Sequence, residues 1–331
     1  MHFPLESELT LGGLPSAIRT PDRAVRLPNF GAIRDHFVVY LDVLGIGPKL
    51  RSAKSPADLE SIYQVLRRVQ QVLDHPSHAV NKKEIGRRNR EVGKRTVALS
   101  DAIVMAVDPV SSDAASFGPY DVVCMEMENL VWAQAKLAEE GIFVRGGIAY
   151  GKFLLHSDIL VSPALVEAYR LESKVALYPR ILIHADTLKR LLSLPGAYAY
   201  GGEHPFLGSV LAATDAPEHF MLDYLQVLGN ARDSDWVEPR LFHEYQTTRD
   251  SKRKQRLLNL SAVKAMAYTL QTHRAAVRSA AARATGARVL EKYLWLMRYH
   301  NEVCRRMGGF PRQRFRAQEL RGIQWRKKRE V

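Results

Sequence analysis

The chain has 331 residues, 48 lysines and arginines against 35 acids, a net charge of +13 and a pI near 9.8. At 46% apolar and 25% charged it is an ordinary globular composition, with enough apolar material for one large core. No run approaches the ~20 apolar residues that cross a bilayer, the opening MHFPLESELTLGG is no secretory signal, and two cysteines, Cys124 and Cys304, exclude a disulfide framework or a thiolate zinc cluster, so a reducing cytoplasm is the expected setting.

Residues 1–30 read as an arm of turns. The apolar run Phe37-Val38-Val39-Tyr40-Leu41-Asp42-Val43-Leu44, closed by Gly45, predicts a buried strand, with Phe37 and Tyr40 in the core. Ser55-Pro56 opens a helix, and Leu59, Ile62, Leu66, Val69 and Leu73 give it one apolar face to about residue 75. Lys82 to Arg95 holds seven bases and two glutamates, a net of +5. Thr96–Ser100 and Ala102–Val107 read as two β arms around Asp101. A helix fills 121–140, with Gly141 as its stop. Ile142–Ile148 predicts a strand, with Gly151–Leu155 as its hairpin partner. Ser162-Pro163 caps a helix that is apolar at Leu165, Ala168, Leu171 and Val175. Ile181–Ile183 is a strand, Asp186–Leu192 a short helix, and Phe220–Tyr224 a last strand. This order predicts an α+β sheet with helices on its faces. The Ala-rich stretch 260–305 predicts one or two long helices outside the sheet domain. The last 31 residues carry ten bases and three acids, a net of +7. The organisation expected is an arm over 1–30, a sheet domain over 31–225 and a helical extension with a basic tail over 226–331. Such charge suits an anionic partner, although charge alone favours a solvated tail and a charged loop. Phe315 and Trp325 are too few to stack single strands.

Two acids stand out by placement: Asp42 near the end of a buried strand, and Asp101 at the tip of an apolar hairpin. An ionised carboxylate in such surroundings is costly unless a cation compensates it. Either acid alone also suits a turn or cap. Both brought to one edge would make a hard oxygen site for Mg²⁺ or Mn²⁺. The turn Gly45-Ile46-Gly47 offers backbone N–H groups to phosphates.

These segments together resemble a family. Leu41-Asp42-Val43-Leu44-Gly45-Ile46 and Leu99-Ser100-Asp101-Ala102-Ile103 are similar to the two metal motifs of class III nucleotidyl cyclases. Val144-Arg145-Gly146-Gly147-Ile148-Ala149-Tyr150-Gly151 is similar to a later strand of that family. Ser162 to Glu172 is similar to the helix carrying its transition-state arginine, and Tyr178-Pro179-Arg180-Ile181-Leu182-Ile183 to the strand beyond. The likeness spans about residues 36–225 and is nearest to the pyrimidine cyclases of bacterial Pycsar antiphage defence. It implies a ferredoxin-like cyclase sheet and a two-fold homodimer with sites at the interface. It also implies two Mn²⁺ or Mg²⁺ ions per site held by Asp42, Asp101 and the Val43 carbonyl. Gly45, Ile46 and Gly47 would hold the β- and γ-phosphates, and Arg170 would face the α-phosphate. From spacing alone, Arg170 reads as an exposed helix residue paired with an acid. Lys94 and Arg95 are further candidates for the triphosphate, and Arg145 for bracing the carboxylates.

The sequence departs from the purine cyclases where they read the base. Val97 stands four residues before Asp101, where they place a lysine. Val166 stands four before Arg170, where they place an asparagine. Ile159, with Asp158 one residue off, stands at the adenine-reading aspartate. An unpaired base edge is penalised, so the resemblance implies UTP, or else CTP, as substrate, and a second messenger for antiphage defence. The alternatives are a purine cyclase and a catalytically inactive cyclase fold that binds nucleotide or nucleic acid.

Overall fold

The computed structural model describes residues 33–74, 89–90, 93–110, 118–156, 159–197, 210–226, 238–307, 314–316 and 319. The N-terminal arm, most of the basic loop, Asp158, Trp325 and most of the basic tail lie outside these residues. The described residues all belong to one compact unit, Ile33–Val331.

Strand β1 (Asp35–Val43) is followed by helices α1 (Ile46–Ser52) and α2 (Pro56–Asp74), then by the hairpin β2 (Arg95–Leu99) and β3 (Ala102–Val107). Helix α3 (Pro119–Glu139) leads to β4 (Val144–Lys152), the hairpin β5 (Leu154–His156) and β6 (Ile159–Val161), and helix α4 (Pro163–Arg170) with a π turn over Leu171–Val175. Then come β7 (Ile181–His184), α5 (Ala185–Leu192), β8 (Leu211–Ala213), β9 (His219–Leu222), α6 (Pro239–Thr247), α7 (Ser251–Arg283) and α8 (Ala287–Arg306). Seven strands form one mixed sheet in the order β2-β3-β1-β4-β7-β9-β8. Among the described strands only β4 and β7 pair in parallel.

Strand alternation sorts β1 into two faces. Phe37, Val39, Leu41 and Val43 enter the main core with α2 and α3. Val38 and Tyr40 join a smaller cluster with Val104, Ala106, Ala149, Ala164 and Ala168, under α4. Helix α4 lies close to the sheet because its inner residues are alanines and the strand beneath is glycine. A Cβ on Gly147 would overlap the Ala168 carbonyl oxygen and sit 2.7 Å from Leu171 Cβ. Gly147→Ala is therefore expected to cost about 1–3 kcal/mol through overpacking; a denaturation midpoint equal to the wild type's would refute this packing.

Several elements differ from expectation. Gly151 does not begin a hairpin partner: β4 runs unbroken to Lys152, and Gly151 pairs with His36 in the ladder. Gly146 and Gly147 of this strand are close-approach positions. Strands β5, β6 and β8 are three residues each, too short for a period to register. The long helices α7 and α8 do not stand outside the sheet domain. Met266, Leu270, Val277, Leu296, Met297 and Val303 share one core with β1 and β4. Leu59 lies on the exposed side of α2, and Phe315 in the tail is buried against His300. Among the described residues no helix is long and apolar enough to cross a membrane.

Candidate active site

The ladder places Asp42 directly between Ala102 of β3 and Arg145 of β4. Leu99 pairs with Ala102 in turn. Leu99, Ala102, Asp42 and Arg145 thus form one cross-strand row on the face that carries Tyr40. Asp101 sits at the tip between β2 and β3, next to that row, and its carbonyl oxygen lies 3.4 Å from the Val43 nitrogen. The tip is a two-residue loop with Ser100 at φ +56°, the one non-glycine residue with positive φ among those described. The sheet therefore delivers both carboxylates to one end, as the two motifs required.

Past Val43 the chain is pinned by Leu44 N–H donating to the Phe143 carbonyl at 2.8 Å. Gly45 then turns at φ +90° and α1 starts without a side-chain cap. No described residue accepts from the N–H groups of Gly45, Ile46 or Gly47. The Ile46 side chain is buried, so only its backbone is available to a ligand. A Cβ on Gly47 would lie 3.2 Å from Asp101 Oδ2. Glycine there leaves room for that carboxylate beside the start of α1.

Arg145 Nε donates to Asp42 Oδ2 at 2.7 Å, and its other arm lies 2.7 Å from Glu172 Oε1. The bracing role expected of Arg145 is thus met, with a partner that motif reading missed. Glu172 lies on the π turn, which closes through Ala176 N–H to the Leu171 carbonyl at 2.8 Å. Burial pushes its carboxyl up to about 7; Arg145 opposes this, and the charges of Asp42 and Asp101 add to it. The folded chain holds that proton to higher pH than the unfolded chain does. The resulting stabilisation is complete below about 4.5 and is lost as pH rises through about 7. Glu172→Gln is expected to flatten this part of the urea-midpoint profile of metal-free protein. Parallel wild-type and variant profiles from pH 5 to 7.5 would refute it.

Tyr40 is half-buried on the same face, edge-on to Tyr169 with ring centroids 5.3 Å apart, rather than a core residue like Phe37. Burial first, then Glu172, Asp101 and Asp42, push its hydroxyl up to about 12. Lys292 of α8 is half-buried nearby; burial lowers its pKa, Arg145 adds to that, and Asp42 and Glu172 oppose it.

Other sequence candidates fall elsewhere. Val97 pairs with Val104, which pairs with Tyr40, so it projects on the Asp42 face. Arg95, paired with Ala106, shares that face and is exposed. Lys94 does not: its ammonium bonds to Glu126 Oε2 at 2.9 Å and to the Leu73 carbonyl at 2.7 Å, beneath the sheet, with both charged side chains 2% exposed. It is withdrawn from the candidates, because a base one residue beyond the strand's solvent-facing set is turned into the helical layer. Arg170 is not brought to the acids of its own chain. It is half-exposed, clamped by Glu167 through two bonds of 2.9 and 2.7 Å, and lies near His219. Val166 and Ile159 are exposed.

Among the described residues no group of three or more His, Cys, Asp or Glu side chains is arranged to hold a metal ion. The donor set here is smaller: two carboxylates and the adjoining Val43 carbonyl. That set fits Mg²⁺ or Mn²⁺, which bind through one or two carboxylates and complete their shells with phosphate and water. The same Gly47 Cβ position lies 3.5 Å from Arg51 Nη1, so a guanidinium also stands at this end of the site.

No protein-family model matches the chain, and no curated protein matches it. Among solved structures it is similar to a bacterial light-regulated adenylyl cyclase, at 12% identity and a TM-score of 0.35, over 59% of this chain and 93% of that one. So remote a likeness leaves the functional assignment to the site itself.

Proposed function

We propose that the protein is a nucleotide cyclase, converting a nucleoside triphosphate to its 3′,5′-cyclic monophosphate and pyrophosphate. The observation that carries this reading is the meeting of Asp42 and Asp101 at one sheet end, beside the open N–H groups of Gly45–Gly47. The order β2-β3-β1-β4, antiparallel throughout and with helices after β1 and β3, supports a ferredoxin-like cyclase sheet.

In this reading Asp42 and Asp101, with the Val43 carbonyl, hold two divalent ions per site. Such ions would lower the pKa of the attacking 3′-hydroxyl and offset charge on the leaving phosphates. Arg145 keeps the Asp42 carboxylate in one orientation through its 2.7 Å bond. The N–H groups of Gly45, Ile46 and Gly47 donate to the β- and γ-phosphates, and Arg95 lies on the same face. Arg170 neutralises the equatorial oxygens of the α-phosphate, a role of the arginine-finger kind. Since Arg170 lies apart from its own chain's acids, it serves the site of a second copy, and a two-fold homodimer carries two equivalent sites. Leu99, Ile159, Val161, Val166 and Tyr169, large apolar side chains left exposed, support such an interface.

The substrate in this reading is a pyrimidine triphosphate, UTP before CTP, serving a second-messenger role of the antiphage kind. Val97 supports it: an apolar side chain on the Asp42 face offers a purine edge no hydrogen bond. Incubation with each of the four nucleoside triphosphates and Mn²⁺, with products identified by mass, tests the reading. A cyclic monophosphate from UTP or CTP is expected. Cyclisation of ATP or GTP alone would overturn the pyrimidine assignment, and no cyclic product from any of the four would overturn the cyclase.

A further inference from the structure

Helix α8 crosses the sheet at the end where the acids lie. Tyr293 packs edge-on against Phe143 with centroids 5.7 Å apart. Phe143 is the residue whose carbonyl pins Leu44 just before the Gly45 turn. Two residues on, Trp295 stacks on Tyr178 at 5.5 Å and receives the Arg180 guanidinium over its face at 5.8 Å. Arg180 in turn accepts through its carbonyl from Gly146 N–H, next to Arg145. The stretch 292–295 is therefore held near the ends of β1, β4 and β7 by the aromatic packing of Tyr293 and Trp295.

Lys292 begins this stretch. Its side chain is half-buried, and its ammonium makes no hydrogen bond and no ion pair with any described residue. It lies within electrostatic reach of Asp42, Glu172 and Arg145, and of no other ionised group resolved around it. The carboxylates near it are already engaged: Asp42 bonds to Arg145, and Glu172 is in contact with the same guanidinium. A half-buried ammonium gives up hydration, and the loss is offset only by an anionic partner. The surrounding protein supplies none at bonding distance. Tyr293, the next residue, packs on Phe143, whose carbonyl holds Leu44 at the start of the Gly45–Gly47 turn, and no described residue accepts from the three N–H groups of that turn. Unpaired donors from two elements separated by more than 240 residues in sequence thus lie on segments that meet at one end of one sheet.

We propose that Lys292 is a substrate-binding residue, and that with the Gly45–Gly47 turn it completes a receptor for the polyphosphate chain of the nucleotide. This rests on the cyclase reading for the identity of the nucleotide, but not for the anion chemistry. It gives α7 and α8 a purpose at the site: they carry a cation to a place the sheet cannot reach from its own strands.

The test is calorimetric titration of the full chain with inorganic tripolyphosphate in Mg²⁺ buffer, for the wild type, Lys292→Gln and Lys292→Arg. Loss of one charge-assisted contact is expected to weaken binding about tenfold or more in Lys292→Gln. Lys292→Arg should keep most of the affinity, and uridine, which has no phosphate, should show no difference between the three proteins. In steady-state assays with UTP, Lys292→Gln should raise KM by a similar factor while moving kcat less. Tripolyphosphate affinity equal to the wild type's in Lys292→Gln, with an unchanged thermal midpoint, would overturn the assignment. So would equal losses in Lys292→Gln and Lys292→Arg, which mark a residue needed for packing alone. Tight tripolyphosphate binding that depends on Lys292 without any cyclic product would leave this inference standing and remove the cyclase.

Discussion

Asp42→Asn and Asp101→Asn are each expected to lower cyclic-nucleotide formation by about 10³-fold, with little change in nucleoside affinity. Each change keeps the shape of the side chain and removes the charge that a divalent ion requires. Asp42 sits in the ladder between β3 and β4, and Asp101 in the tip beside it, so neither substitution disturbs the hydrophobic layers. Asp42→Asn also releases Arg145 from its 2.7 Å bond, and a modest drop in thermal midpoint accompanies it. The same pair tests the shared site. Arg170→Ala should be equally inactive if its guanidinium, paired in its own chain with Glu167, serves the site of the second copy. Mixing Asp42→Asn with Arg170→Ala protein should restore up to one working site per dimer. Mixed protein that stays inactive while each variant still dimerises would show that the two residues do not meet across an interface. Single variants retaining more than a tenth of wild-type turnover would remove the carboxylates from the chemistry.

Lys94→Met should produce the largest loss of stability. The Lys94–Glu126 pair is closed off from solvent, with the ammonium also bonded to the Leu73 carbonyl. Removing the cation leaves a carboxylate without compensation in the layer between the sheet, α2 and α3. Breaking such a pair costs about 3–5 kcal/mol. Glu126→Gln on top of Lys94→Met should recover a good part of the loss, since no buried charge then remains. Chemical denaturation of the two variants checks both statements. Below its melting transition Lys94→Met should keep the wild-type KM for nucleotide; a raised KM in folded protein would return Lys94 to the phosphates.

The parts of the fold that sequence made legible are those with a period or a cap. The Ser162-Pro163 start of α4 is seen in the Ser162 hydroxyl accepting from Leu165 N–H at 3.0 Å. The apolar run around Asp42 and the short hairpin at Asp101 put each acid at a strand end, and the β1–β3 pairing brings the two ends together. What stayed hidden depends on contacts between distant segments. Glu172 looks like any acid on an amphipathic helix, and only the π turn and the register of β4 set it against Arg145. Lys94 and Arg95 are neighbours of one charge in one basic run, yet strand parity sends one into the core and the other into solvent. Gly151 reads as the start of a new strand because a sequence does not show that its ladder with His36 continues. The link of α8 to the site runs through Tyr293, Trp295 and Phe143, residues that carry no motif.

The shared core has a practical corollary for anyone hoping to isolate a minimal catalytic fragment. Asp223, just past β9, is buried and satisfied by the Tyr299 hydroxyl and by Arg306, both at 2.7 Å, while Tyr224 bonds to His273 at 2.8 Å. A chain trimmed after Leu225 would strand those polar groups and strip the sheet's inner surface of its cover. The sheet and its helices form one folding unit: exchanging the C-terminal third for a foreign segment should fail unless these anchoring residues travel with it.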